Sequence, residues 1–153
     1  MTRSIFLIMI LSLAFASGCA SQNKVILQIQ FCLGDDEGVR RFKNELAAIG
    51  REEGLEFVDG SDSTKRGMNI KVSPVVYVSL ERNGSVAVMA GNLFLPKYQI
   101  YMSFFSTGNL PEARRLASKA RARLSTLFAI QELPLDKGAI RMAECSPTGE
   151  LVK

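Results

Sequence analysis

The chain has 153 residues, 19 basic against 15 acidic for a net charge of +4, three cysteines and no histidine. That length suits one ordinary domain. The lack of histidine excludes Ser-His and Cys-His nucleophile pairs, an imidazole proton shuttle and every histidine metal site. "GVRRFKNELAAIG" lacks the Walker spacing and its Gly-Lys-Ser/Thr end, so no phosphate loop is present either. An enzyme is not expected, and neither a cofactor nor a metal is implied.

Thr2 and Arg3 make a short basic start, followed by the unbroken apolar run "IFLIMILSLAFA" over residues 5–16. This is the composition of a secretory signal peptide. A permanent membrane span needs about 20 apolar residues, and this run is shorter. Two cleavage patterns overlap at its end. Ala14-Phe15-Ala16 is an A-x-A site that would release a soluble protein. Ala16-Ser17-Gly18-Cys19 resembles the lipobox of bacterial lipoproteins. That resemblance covers the signal region alone. It implies cleavage before Cys19, a diacylglycerol on its thiol, and a chain held to a membrane. Ala20 stands where Asp accompanies inner-membrane retention in enterobacteria, so the resemblance leans toward the outer membrane, facing the periplasm.

The expected organisation is a signal peptide over 1–18, an anchor and short linker over 19–24, one domain over 25–146, and a tail over 147–153. Five residues between anchor and domain reach at most about 17 Å. An exported domain does not meet nucleic acid, so the mild basic charge implies no such partner. Lipidation would also take Cys19 out of an odd cysteine count, leaving Cys32 and Cys145 to pair in an oxidising compartment or to stay as two buried thiols.

Val25, Leu27, Ile29 and Phe31 alternate with Ile26, Gln28 and Gln30, which predicts a strand with one buried face. Val39, Phe42, Leu46 and Ile49 recur at helical spacing, with Asp35, Asp36 and Glu37 at the positive end of the dipole and Gly54 as the stop. Those three acids point about 100° apart in succession and do not converge as metal ligands. "LEFV" predicts a short strand. "DGSDS" lacks the ligand spacing of a calcium loop and reads as an exposed turn, continuing as a polar loop to Gly67.

Residues 68–105 predict a three-strand meander, with Pro74 at an edge or bulge. For "SLERNGSVAV", burial favours a three-residue loop Arg82-Asn83-Gly84 that pairs Glu81 with Ser85. Tyr98, Ile100, Met102 and Phe104 form the core face of the next strand. Ala113, Leu116, Ala117, Ala120, Leu124, Leu127 and Phe128 share one arc of a final helix, capped by Asn109 or Thr107 and tolerating Pro111 in its first turn. Its basic residues make a face for water or for anionic headgroups. "AIRMA" is a candidate closing strand.

These parts predict an α+β two-layer sandwich, a mostly antiparallel sheet with two amphipathic helices on one face. The right-handed crossover rule would bring the early strands together across the first helix. The opposite sheet face carries Tyr77, Tyr101 and Phe105 among polar residues, a candidate partner-binding surface. The functional expectation is a non-catalytic, membrane-tethered envelope lipoprotein acting through protein contacts. Its architecture is similar to accessory subunits of envelope assembly or transport systems. The alternative is a periplasmic small-ligand-binding or inhibitor protein using the same face.

Overall fold

The computed structural model describes residues 24–70, 73–136, 138–140 and Cys145. The signal region, Cys19 and the tail 147–153 lie outside these residues. Strand β1 (Lys24–Cys32) runs into helix α1 (Asp36–Glu53), then strand β2 (Glu56–Asp59), helix α2 (Ser61–Gly67), the meander β3 (Tyr77–Arg82), β4 (Ser85–Gly91) and β5 (Gln99–Ser106), helix α3 (Leu110–Leu124) and strand β6 (Gln131–Leu133). The sheet is antiparallel between neighbours, in the order β2-β3-β4-β5-β1-β6. α1 and α3 pack on one face, giving the two-layer α+β sandwich.

The helix signals act locally as expected. The Asp35 carboxylate accepts the Gly38 N–H at 2.7 Å, and Gly54 closes α1 with φ 64°, a left-handed conformation that glycine adopts without a Cβ penalty. Asn109 caps α3 by accepting the Glu112 N–H at 3.2 Å. That helix stops at Leu124, earlier than its apolar arc suggests. The Ser125 and Thr126 hydroxyls turn back onto the Ala122 and Arg123 carbonyls, each at 2.7 Å. Phe128 still reaches the core, because the following turn carries it there.

Phe31 links the layers. Its ring meets Phe42 of α1 edge-on at 5.5 Å and stacks on Phe128 at 5.4 Å, geometries that add to simple burial. Around it lie Ile29, Leu46, Ile49, Val78, Leu80, Val88, Ile100, Met102, Phe104 and Leu124, all buried. Fully burying each such side chain is worth about 1.5–3 kcal/mol.

Several expectations are corrected. The hairpin uses the two-residue loop Asn83-Gly84, at φ 51° and 76°, and pairs Arg82 with Ser85, not Glu81 with Ser85. Burial of the apolar set is met by a bulge: Glu81 faces Val86 and Leu80 faces Val88, leaving Ala87 as the extra residue. The early strands are not neighbours, since the meander enters the sheet as a hairpin-linked block between β1 and β2. The 59–67 stretch is not all loop. Asp59 accepts the Ser61 N–H at 3.0 Å, and the Ser61 hydroxyl takes the Tyr77 N–H at 3.1 Å, which docks α2 on the start of β3. Lys43 reaches the same Asp59 carboxylate at 2.7 Å. Burial opposes ionisation of Asp59, but the bonds from Lys43 and Ser61 outweigh it and hold the pKa below its ordinary value.

A short strand that the pattern did not announce, β6, pairs with β1. Within "AIRMA", Ala139 and Ile140 have no strand pairing, and residues 141–143 lie outside the described ones. Pro74 precedes β3 in a cis peptide bond with Ser73. There Asn92 substitutes for ladder bonds: its Oδ1 accepts the Val76 N–H at 2.8 Å and its Nδ2 donates to the Pro74 carbonyl at 2.9 Å.

Candidate functional site

On the sheet face away from the helices, antiparallel pairing sets side chains in rows. One row runs Tyr77, Gly91, Tyr101, Gln30, Gln131, and the next runs Ser79, Met89, Ser103, Gln28, Leu133. Gly91 sits between the two tyrosines, where an added Cβ would stand 2.8 Å from the Val76 carbonyl oxygen and 3.5 Å from the Tyr77 ring, and a gap lies beside it between the tyrosine positions. Tyr77, Met89, Gly91, Leu93, Leu95 and Tyr101 line that gap as a largely apolar cavity of about 160 Å³. The Tyr77 hydroxyl lies 3.4 Å from the Met89 sulfur. None of the described lining residues is acidic or basic. The cavity therefore suits an apolar group with polar contact at its rim, and offers no acid-base pair for chemistry.

The structure brings Tyr77 and Tyr101 together and places Phe105 elsewhere. Phe105 lines a small cleft with Ala87 and with Ala113 and Leu116 of α3. Bulges occur at this level of both neighbouring strands, at Ala87 of β4 and between Val25 and Leu27 of β1. A bulge bends its strand and re-aims nearby side chains. Strict alternation along β5 takes no account of this.

The outer face is also drier than its polar composition suggests. Gln28, Gln30, Ser79, Gln99 and Ser103 are all buried, Gln30 at 1% exposure and Gln99 at 0%. Part of the cover is the chain's own C-terminal segment. Ala139 borders the tyrosine cavity. The Ile140 N–H donates to Gln30 Oε1 at 3.1 Å, and Gln99 Nε2 donates to the Ile140 carbonyl at 2.7 Å. Further along, Cys145 and Cys32 lie at disulfide distance, with Sγ–Sγ 2.02 Å and Cα–Cα 5.4 Å.

Four of the five basic residues of α3, Arg115, Lys119, Arg121 and Arg123, are engaged and not simply solvated. Arg115 and Lys119 pair with Glu53 of α1 at 2.7 and 2.8 Å, Lys119 and Arg123 pair with Glu52 at 2.7 and 2.6 Å, and Arg121 pairs with Glu132. Hydrogen bonds from Lys119 and then Arg123 pull the Glu52 pKa down to about 2. Glu53, with its side chain 5% exposed, is held below its ordinary value chiefly by the Lys119 bond, against burial. These pairs join the two helices and occupy much of the charge that headgroups would need.

A second apolar surface lies at the end of the sheet where β4 leads to β5. Phe94, 81% exposed and at φ 62°, stands beside a larger open cavity bordered by Met68, Ile70, Val75 and Leu95. Among the described residues no group of three or more Cys, Asp or Glu side chains is arranged to hold a metal, and no helix is long and apolar enough to cross a membrane.

Sequence reading found the two tyrosines but missed Gly91, Met89, Leu93, Leu95 and Ala139. The available signal was Gly91 at the end of an otherwise regular alternation, since glycine inside a strand pattern often marks a place where something approaches closely. No protein-family model matches the chain, and no curated protein matches it in sequence.

Proposed function

We propose that this protein is a membrane-tethered envelope lipoprotein, lipidated at Cys19, whose domain works without catalysis by contacting a partner protein through its outer sheet face. The observation that carries the reading is the apolar cavity between Tyr77 and Tyr101, floored by Gly91 and free of charged lining among the described residues. Aromatic residues around a desolvated pocket are the usual centre of a protein contact. Two features support the setting. The Cys32–Cys145 pair suits an oxidising compartment such as the periplasm. β1 begins at Lys24, so the tether from Cys19 is short and keeps the domain within about 17 Å of its anchor.

The intact mass of the mature protein from membranes tests the tether: a diacylated product starting at Cys19 is expected, and an unlipidated one starting at Ser17 refutes it. Mild crosslinking in membranes tests the contact. A defined envelope partner should be captured by the native protein and lost from a folded Tyr77→Ala, Tyr101→Ala variant. Equal capture by both would refute the role of this face.

The alternative, a small-ligand carrier or inhibitor, is favoured by one observation. A cavity near 160 Å³ is the size that holds a single aromatic ring. Protection of Met89 and Leu95 methyl groups by an apolar small molecule, without any protein partner, would support it.

A further inference from the structure

Ile140 is held in an unusual way. Both of its main-chain groups are met by side chains, from Gln30 on β1 and Gln99 on β5, rather than by a strand. The two amides are themselves oriented: Gln30 Nε2 donates to Gln131 Oε1 at 3.0 Å, and Gln99 Nε2 lies 3.4 Å from Gln30 Oε1. Buried, pre-oriented amides that accept one N–H and donate to one C=O recognise an extended backbone whatever side chain it carries. The neighbouring residue meets the tyrosine cavity with only the methyl group of Ala139, against a space of about 160 Å³. Gly138 and Ile140 are exposed, Ile140 at 46%, so side-chain burial contributes little to the hold.

We propose that residues 138–140 form a displaceable strap, seated in a groove that takes an extended peptide segment of the protein partner with an apolar side chain larger than alanine entering the cavity. The Cys32–Cys145 disulfide decides whether the strap stays. This rests on the reading of the outer face given above and deepens it. Intact, the disulfide keeps the strap at high local concentration over the groove, so a free peptide must compete with an intramolecular occupant. Cleavage needs a dithiol reductant. One of its thiolates attacks the half-buried Cys145 sulfur, the S–S bond breaks, and Cys32 leaves as a thiolate that takes a proton. The second thiolate of the reductant then displaces Cys145, which is protonated in turn, and the reductant ends as a disulfide. Among the described residues the strap then keeps the two hydrogen bonds at Ile140 and little buried side-chain surface.

The test uses the full chain with and without dithiothreitol. Hydrogen exchange should show the Ile140 amide exchanging about 10-fold faster or more after reduction, the scale expected when a covalent restraint on two hydrogen bonds is lost, while the Met102 amide in the central strands stays protected relative to Ile140 and so reports a fold that persists without the disulfide. A labelled peptide of sequence GAIRMAE should bind the reduced protein and not the oxidised one. Its Ala139→Leu version should bind more tightly, and Gln99→Ala in the protein should weaken both. An unchanged Ile140 rate, equal peptide binding to both redox forms, or loss of Met102 protection together with Ile140 would overturn the proposal. The exchange measurement needs no partner, so failure of the strap and failure of the partner reading give different results.

Discussion

Gly38 lies in the first turn of α1, where helix propensity alone would favour alanine by up to about 1 kcal/mol. The fold forbids it. A Cβ built there would stand 1.8 Å from the Leu33 carbonyl oxygen and 2.8 Å from its carbon, while carbon atoms in contact prefer about 3.5–4.0 Å. Leu33 cannot retreat cheaply, because its N–H is bonded to the Tyr98 carbonyl at 2.9 Å and its side chain is buried. α1 would have to shift by more than about 1 Å at its start, disturbing the Phe42 contact with Phe31. Overpacking of this kind costs about 1–3 kcal/mol, at the upper end where backbone meets backbone. After the propensity gain, Gly38→Ala should lose about 2 kcal/mol, lowering Tm by roughly 6–10 °C for a domain of this size. Urea and thermal unfolding followed by circular dichroism measure both. Gly67→Ala, where an added Cβ meets nothing within 4 Å, is the matched control and should be near neutral. A Gly38→Ala protein as stable as the native one, with a neutral control, would refute the claim that this close approach sets the β1–α1 junction.

Asn92→Ala should cost about 1–3 kcal/mol in urea unfolding, because it strands the buried Val76 N–H that its side chain now satisfies; a loss below 0.5 kcal/mol (roughly) would show that the contact is replaceable. Cys145→Ser removes a link across 113 residues, for which the chain-entropy treatment sets a loss of up to about 5 kcal/mol, measured from the denaturation midpoint and slope together, since freeing the unfolded chain steepens the slope. The carboxylates joining α1 to α3 have depressed pKa values, so their contribution is complete above the ordinary carboxylate range. It is lost as pH falls through the folded value, about 2 for Glu52. Tm should therefore fall between roughly pH 4.5 and 2, and less so in a Glu52→Gln, Glu53→Gln variant; an identical acid profile in that variant would place the acid sensitivity elsewhere.

Much of the framework was legible along the chain because its causes are local. The α1 stripe, the acids at its start and its Gly54 stop, a cap for α3 at Asn109 or Thr107, and the inward alternation of β5 each depend on residues within a turn or two. The errors came where distant segments compete for one position. The hairpin register was decided by a bulge at Ala87, α2 by the docking of Ser61 on Tyr77, and β6 by a short edge pairing with β1. Three residues carry too little pattern to announce a strand. The candidate site divided in the same way. Tyr77 and Tyr101 could be placed on one face from periodicity, but the cavity between them depends on Gly91 lying in register with both.

The sequence by itself determined an apolar run before Cys19, a chemistry without histidine, two one-sided helices and a set of half-buried strands, because composition and periodicity are properties of neighbouring residues. Only the tertiary structure decided the strand order, the ion pairs that occupy most of the α3 cations, the departure of Phe105 from the tyrosines, and the seating of Ala139 and Ile140 over the outer sheet face. Each of these depends on which distant surfaces meet, and burial and hydrogen-bond satisfaction settle that for the whole fold at once.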